Sequence, residues 1–498
     1  MMLVDRGIGI GLAAALAAVT LAIAALPTTQ LASQNATGTA SGNGGSFTPE
    51  LSRNGRFVAF QSDAPDLVTN DSNSTTDAFV RDLRTGTTTL LSVNAVGTTS
   101  GNSFSAAPVV SANGRFVAFQ SGATDLVTLP TGGLLDVYVR DLRRGITMLA
   151  SVNSTGTEGA NDESFIDAIS GNGRLVLFQS DASDLVSNDA NSTTDVFVRD
   201  VRRATTLLVS ANAAGTSTGN SSSSSPVVTP NGRFVAFGSA ASDLVLNDGN
   251  GNADVFVRDL RNGTTILVSV NAAGTASASG HSIGPVMSKN GRFVAFASNA
   301  GDLVTTTTNG VQNVFVRDLH TGTNTLVSVN AAGTAGGNGT SQALGISVTG
   351  RFVLMESLAT DLVGTTDGNG TLDIFVRDLK SGTTTLVSVN GAGTGSGDAG
   401  SFDPMLSANG RFVAFESAAS DLAANDGDGE FDVFVRDMRS ATTMLASVNA
   451  AGTSSGNSAS GTATLSANGQ MLAFESEAND LTANDTNGAG DVFVRPTR

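Results

Sequence analysis

A unit of about 59 residues returns eight times along this chain, and that period limits the fold more than any single motif does. The turn "NGR", or a near relative, places its glycine at Gly55, Gly114, Gly173, Gly232, Gly291, Gly350, Gly410 and Gly469. A second phrase, "FVRD", follows in the same register from Phe79, Tyr138, Phe197, Phe256, Phe315, Phe375, Phe434 and Phe493. Self-similarity at such a period marks a repeat architecture, in which no unit buries its apolar face alone and each must stack on its neighbours.

One unit reads as four strands, named A to D here. "AAPVVS" (106–111) is a short apolar run, and "ANG" (112–114) is a turn whose glycine supplies positive φ. "RFVAFQS" (115–121) is rich in the Val and Phe that fit a pleated surface. A long polar loop leads to "DVYVRDL" (136–142), which alternates apolar and polar, and a short "RRG" turn leads to "ITMLASVN" (146–153). Four short strands, each antiparallel to the last and repeated eight times, predict an all-β chain: an eight-bladed β-propeller of four-stranded antiparallel blades. The A–B and C–D turns are short, whereas the B–C and D–A loops are long and polar. One face is therefore cropped, and the other carries the loops where functional residues concentrate.

The consensus phrases SANGRFVAF and DVFVRDLxxGTTTLVSV resemble the PD40, WD40-like repeats of the TolB-type propeller family, over nearly the whole chain after residue 26. The resemblance implies a fold rather than a function. TolB itself carries an extra N-terminal domain and is usually described as six-bladed, so no Tol–Pal role is implied. The last unit stops at "DVFVRPTR" (491–498), short of its D strand. The missing phrase stands at the other end, where "TTQLASQNATGTASGN" (28–43) matches "TTTLVSVNGAGTGSGD" (383–398). The N-terminal strand is expected to complete the last blade as a velcro strand, which pairs both chain edges. An open array, or two smaller rings, is the alternative.

The chain carries a net charge of −17 and no Cys. The charge excludes nucleic acid, whose phosphates it would repel, and favours cations or basic partners. Without Cys there is neither a disulfide framework nor a thiolate metal site. Residues 7–26, "GIGIGLAAALAAVTLAIAAL", are uncharged and apolar, long enough to span a bilayer and placed as a secretory signal is, with "AIA" (22–24) as a cleavage site. Residues 1–26 are expected to be a signal peptide or a membrane anchor, and 27–498 the propeller. The protein is expected to be exported (periplasmic, cell-envelope or secreted), touching the membrane only through an uncleaved N-terminal segment.

The B–C loops carry a fixed pattern, D-x-N/D-x-x-x-D. It comprises Asp71, Asn73 and Asp77; Asp189, Asn191 and Asp195; Asp248, Asn250 and Asp254; Asp367, Asn369 and Asp373; Asp426, Asp428 and Asp432; and Asp485, Asn487 and Asp491. Hard oxygen ligands at alternate positions of a turn suit Ca²⁺, and "DGNGNAD" and "DGDGEFD" resemble the first half of an EF-hand-type loop. The bidentate glutamate at position 12 of such a loop has no counterpart, so a weak site, on the order of 10⁻⁴–10⁻³ M, is expected. The competing reading is a metal-free turn built on Asx hydrogen bonds. The second unit reads "TLPTGGLLD" and the fifth "TTTTNGVQN". Both are read as losing the first Asp and its Asn partner, and the fifth also loses the last Asp, so six cation sites are expected. The upstream Asp of "D-L" recurs in all eight units (Asp66, Asp125, Asp184, Asp243, Asp302, Asp361, Asp421, Asp480) and is expected to anchor the loop. The arginine of "FVRD" (Arg81, Arg199, Arg258, Arg436 and kin) is expected in cross-blade ion pairs.

"GTSTG" (215–219) and "GTSSG" (452–456) match G-x-S-x-G but lie in D–A loops, not between a strand and a helix. The two histidines, His281 and His320, fall on opposite faces, so no Ser-His-Asp set can be assembled. The sequence thus favours an exported, non-enzymatic, monomeric propeller scaffold. Calcium would stabilise it, and its long-loop face would meet an unknown protein or glycan. A calcium-dependent glycan or surface adhesion module, and an enzyme with a site in the central channel, are the alternatives.

Overall fold

In the first blade the inner strand A, Ser46–Leu51, is followed outward by B (Phe57–Ser62), C (Asp77–Asp82) and D (Thr87–Leu90), each antiparallel to the one before it. The computed structural model describes residues 28–498 and repeats this sheet eight times. The expected signal or anchor lies outside the described residues. Among these there is no helix, and so none long and apolar enough to cross a membrane. The blades form one ring, because strand A of the first packs against strands B and C of the last. The last sheet is completed by Gln30–Leu31, pairing Gln30 with Val494 and Leu31 with Phe493. The velcro closure stands, and the open array falls.

Strands B and C are covered on both sides by neighbouring blades, so they bury continuous runs rather than alternate residues, such as Val58, Ala59 and Phe60. The core therefore lies between blades. One cluster joins Ala59, Ala78, Val80 and Leu91 of the first blade to Val117, Phe119 and Tyr138 of the second. Inside each blade a B-strand ring stacks on a C-strand ring, as Phe60 does on Phe79 with centroids 5.9 Å apart. In the sixth blade Met355 replaces the first ring, opposite Phe375.

The "NGRF" phrase carries the contact between blades. Asn113 Oδ1 accepts the Arg115 N–H and the Ser111 hydroxyl, which shapes the turn. Arg115 reaches Asp141 of its own blade through two hydrogen bonds, 2.9 and 2.5 Å, and lies 4.7 Å from the centre of the Phe116 ring. That ring in turn presses on Gly173 of the next blade, where a Cβ would sit 2.1 Å from Phe116 Cδ2. Gly173 also has φ 73°. The glycine is thus required twice, for backbone conformation and for the approach of the neighbour's ring.

The ion pairs run within blades, not across them as expected. The ion pairs join the Asp of "FVRD" to the Arg of "NGR" within a blade, from Arg56–Asp82 to Arg411–Asp437. The two strands are antiparallel neighbours, so the end of C lies beside the start of B. The arginine of "FVRD" points to the other side of its strand and bonds a D-strand hydroxyl instead, as Arg436 Nη1 does to Thr443 at 2.7 Å. Gly173→Ala should cost about 2–4 kcal/mol, from left-handed strain and overpacking together. Gly215→Ala, at φ 67° with nothing within 4 Å, should cost about 1–2 kcal/mol. Urea unfolding of the two variants checks the difference.

Candidate functional site

Strand C opens on a carboxyl that lies wholly inside the protein. Asp77, Asp136, Asp195, Asp254, Asp373 and Asp491 have no exposed surface, and Asp432 has 1 %. One oxygen of each is taken by a serine just past strand D, as Ser92 Oγ donates to Asp77 Oδ1 at 2.5 Å and Ser447 to Asp432 at 2.5 Å. The other oxygen, Oδ2, has no partner among the described residues in Asp77, Asp136, Asp195, Asp373, Asp432 and Asp491. Burial pushes these carboxyls up to about 7, and Asp491 to about 8. A buried oxygen without a donor costs free energy unless a proton or a cation supplies what is missing.

The rest of the loop brings further oxygens. Asp71, Asp189, Asp248, Asp426 and Asp485 each leave at least one buried oxygen unpartnered. In five of the six aspartate loops the middle Asn ties the B–C loop to the D–A loop: Asn73 Nδ2 donates to Gly101 O at 2.7 Å, and Asn487 Nδ2 to Gly42 O at 2.7 Å. Its Oδ1 accepts the N–H two residues on, an Asx turn. In the seventh blade Asp428 stands at this place, with Ser455 Oγ donating to its Oδ2 at 2.6 Å. Asp426, Asp428 and Asp432 each offer an oxygen within 4.8 Å of the others, a group that could hold a metal ion. Burial, then the charge of Asp428, pushes Asp426 up to about 6. The "D-L" aspartates anchor the loops as expected: Asp125 Oδ1 accepts the Asn102 N–H at 2.9 Å, and Asp480 Oδ1 the Asn457 N–H at 3.0 Å.

The fifth blade shows what the buried oxygen faces. Asn313 replaces the aspartate, and its Oδ1 accepts from Ser328 as the carboxylates accept from theirs. Its Nδ2 donates to the carbonyls of Thr308 and Val311 at 2.9 and 3.0 Å. Where this blade has an amide donor between loop carbonyls, its neighbours have a carboxylate oxygen. Contrary to expectation, the fifth blade keeps the Asn: Asn309 Nδ2 donates to Gly336 O at 2.6 Å, one residue before the counterpart of the Ala278 carbonyl that Asn250 uses. The second blade keeps only Asp136, with Gly132 at the Asn position.

No protein-family model matches the sequence, and no curated protein matches it. Solved structures match by shape. An oligogalacturonate lyase in complex with manganese is 10% identical, with 78% of this chain and 87% of that chain covered and a TM-score of 0.44. A prolyl endopeptidase structure is 11% identical at TM-score 0.49; the match covers 81% of this chain but only 49% of that one. TolB from Acinetobacter baumannii is 14% identical, with 73% of this chain and 76% of that chain covered and a TM-score of 0.32. The TolB-like resemblance stands as a likeness of fold.

The expectation of a non-enzymatic scaffold is overturned. The solved structures that share this propeller fold include a lyase and a prolyl endopeptidase, a likeness of fold alone, and strand B sets acidic residues beside the inner strands. Glu356, Glu416 and Glu475 stand there in three successive blades, opposite the loop-side ends of the A strands. Burial, then a hydrogen bond to Asp403, pushes Glu416 up to about 8. The same strand-B position has a structural use, which is why repetition hides it. Gln61 Oε1 accepts the N–H of Ala107, at φ 49° in the next blade's A-strand bulge, and Glu475 Oε2 accepts that of Thr48.

The buried aspartates fix the pH response of the cation-free protein. Their carboxyls ionise near pH 4 in the unfolded chain and near 7 in the folded one, so the folded state holds protons that the unfolded state has released. Their contribution is present below pH 4 and is lost as pH rises through 7. With EDTA present, the melting temperature should fall between pH 5 and pH 8, and calcium should flatten that fall. A calorimetric melting series checks this; a rising melting temperature in EDTA would refute the assignment.

Proposed function

We propose that the chain is an exported propeller whose long-loop face holds divalent cations in blades 1, 3, 4, 6, 7 and 8, with calcium as the cation. The observation that carries this reading is the buried, unpartnered carboxylate oxygen beside a second carboxylate in the same loop. All ligands on offer are hard oxygens, which suits calcium rather than a soft transition metal. Export rests on the apolar segment at 7–26.

At a free concentration about ten times Kd, each site adds about 1.4 kcal/mol, and six add roughly 8 kcal/mol. Isothermal titration with Ca²⁺ should give six sites, Asp432→Asn should remove one, and EDTA should lower the melting temperature by many degrees. An unchanged melting temperature in EDTA refutes the proposal.

A second reading, catalytic, is favoured by the Asp403–Glu416 pair. Burial, then Asp403, raises the Glu416 carboxyl to about 8, and a carboxyl so raised can serve as a general acid at neutral pH. Gly461 leaves it room, since a Cβ there would lie 2.2 Å from Glu416 Oε2. A panel of chromogenic glycosides tests it: turnover by the wild type should be lost in Glu416→Gln, and turnover that survives the substitution removes Glu416 from the chemistry.

A further inference from the structure

We propose that the cation site of the eighth blade is also the clasp that holds the ring shut, an inference that rests on the cation reading above. In the first blade the contacts around the site join residues 14 to 28 positions apart. In the eighth they join the two ends of the chain. Ser33 Oγ donates to Asp491 Oδ1 at 2.5 Å and accepts the Val492 N–H at 3.0 Å. The Ser41 N–H donates to Asn484 O at 2.8 Å, and Ser41 Oγ accepts the Thr486 N–H at 3.0 Å. Asn487 Nδ2 closes the other side on Gly42 O.

Residues 33–42 thus form one wall of the site, and Asp485 and Asp491 the other. Both oxygens of Asp485 and Oδ2 of Asp491 are enclosed without a partner among the described residues. Asp491 has no exposed surface at all. If the N-terminal segment left, these carboxylates would face water and the enclosure would be gone. The backbone bond to this segment is also the thinnest of its kind. The closing strand has two residues, Gln30 and Leu31, whereas the outer strand of the fourth blade has four. A cation that binds the closed ring and not the open one favours closure by a factor of 1 + [L]/Kd, about tenfold when the free cation is about ten times Kd.

Hydrogen exchange on the full chain tests this, with Ca²⁺ or with EDTA, in the wild type, Asp485→Asn and Asp248→Asn. Amides of residues 30–42 are compared with their counterparts at 266–278 in the fourth blade, where the chain is continuous. Removing Ca²⁺ should speed exchange about tenfold at 30–42 and less at 266–278. Asp485→Asn should do so even with Ca²⁺ present, and Asp248→Asn should not. If Ca²⁺ protects the aspartate loops but leaves 30–42 unchanged, or protects both segments equally, the clasp is refuted and the cation reading stands. If Ca²⁺ alters exchange nowhere, the cation reading itself fails. The wild-type comparison decides the matter even if a variant does not fold.

Discussion

The ring depends on one contact repeated from blade to blade, a ring or apolar side chain of strand B set against the glycine of the next blade's turn. Phe57 meets Gly114, Phe116 meets Gly173, and at the seam Met471 meets Gly55. Each blade is apolar on both faces, so no blade is stable alone and each must be covered twice. The arginine of the same phrase holds the ring from its open side while its guanidinium is held by the aspartate at the end of strand C. Four successive residues therefore shape a turn, admit a neighbour, bind an aspartate and fill the next interface.

Most of the fold could be read from the sequence because repetition made eight independent statements of it. Strand order, loop lengths and the match between residues 28–43 and 383–398 were enough to place the closing strand. The partner of each arginine was less legible. The sequence suggested a cross-blade ion pair for Arg81, yet the ion pair falls to its neighbour Asp82 and Arg56 of the same blade, while Arg81 bonds Thr88. The candidate site was legible as a pattern of aspartates, but the difference between its two strongest members was not. Nothing in "D-x-N-x-x-x-D" says that the last carboxyl is fully enclosed while one of its oxygens has no donor. Asn309 was missed because the fifth loop, stripped of its acids, no longer looked like the others.

On the proposed cation reading, the buried carboxyls put proton and cation in competition for one place. Each aspartate loop would then be neutralised by a proton when its surroundings are acidic, or by a metal ion when they are not. The fifth blade avoids the choice. Exchange of one carboxyl oxygen for an amide nitrogen turns the electrostatic problem into two ordinary hydrogen bonds. That blade shows that the loop can keep its fold without an ion when an amide takes the place of the carboxyl.

The bulge in strand A has a consequence for variation around the axis. Its lone N–H needs an acceptor from the preceding blade, and either an amide or a carboxyl at the strand-B position will serve, as Gln61 and Glu475 do. A glutamine-to-glutamate exchange there leaves the scaffold's bonding intact while adding a titratable group. One side of the ring can therefore carry carboxyls and the other none with no redesign of the blades, and a ring built from near-copies can acquire a front and a back.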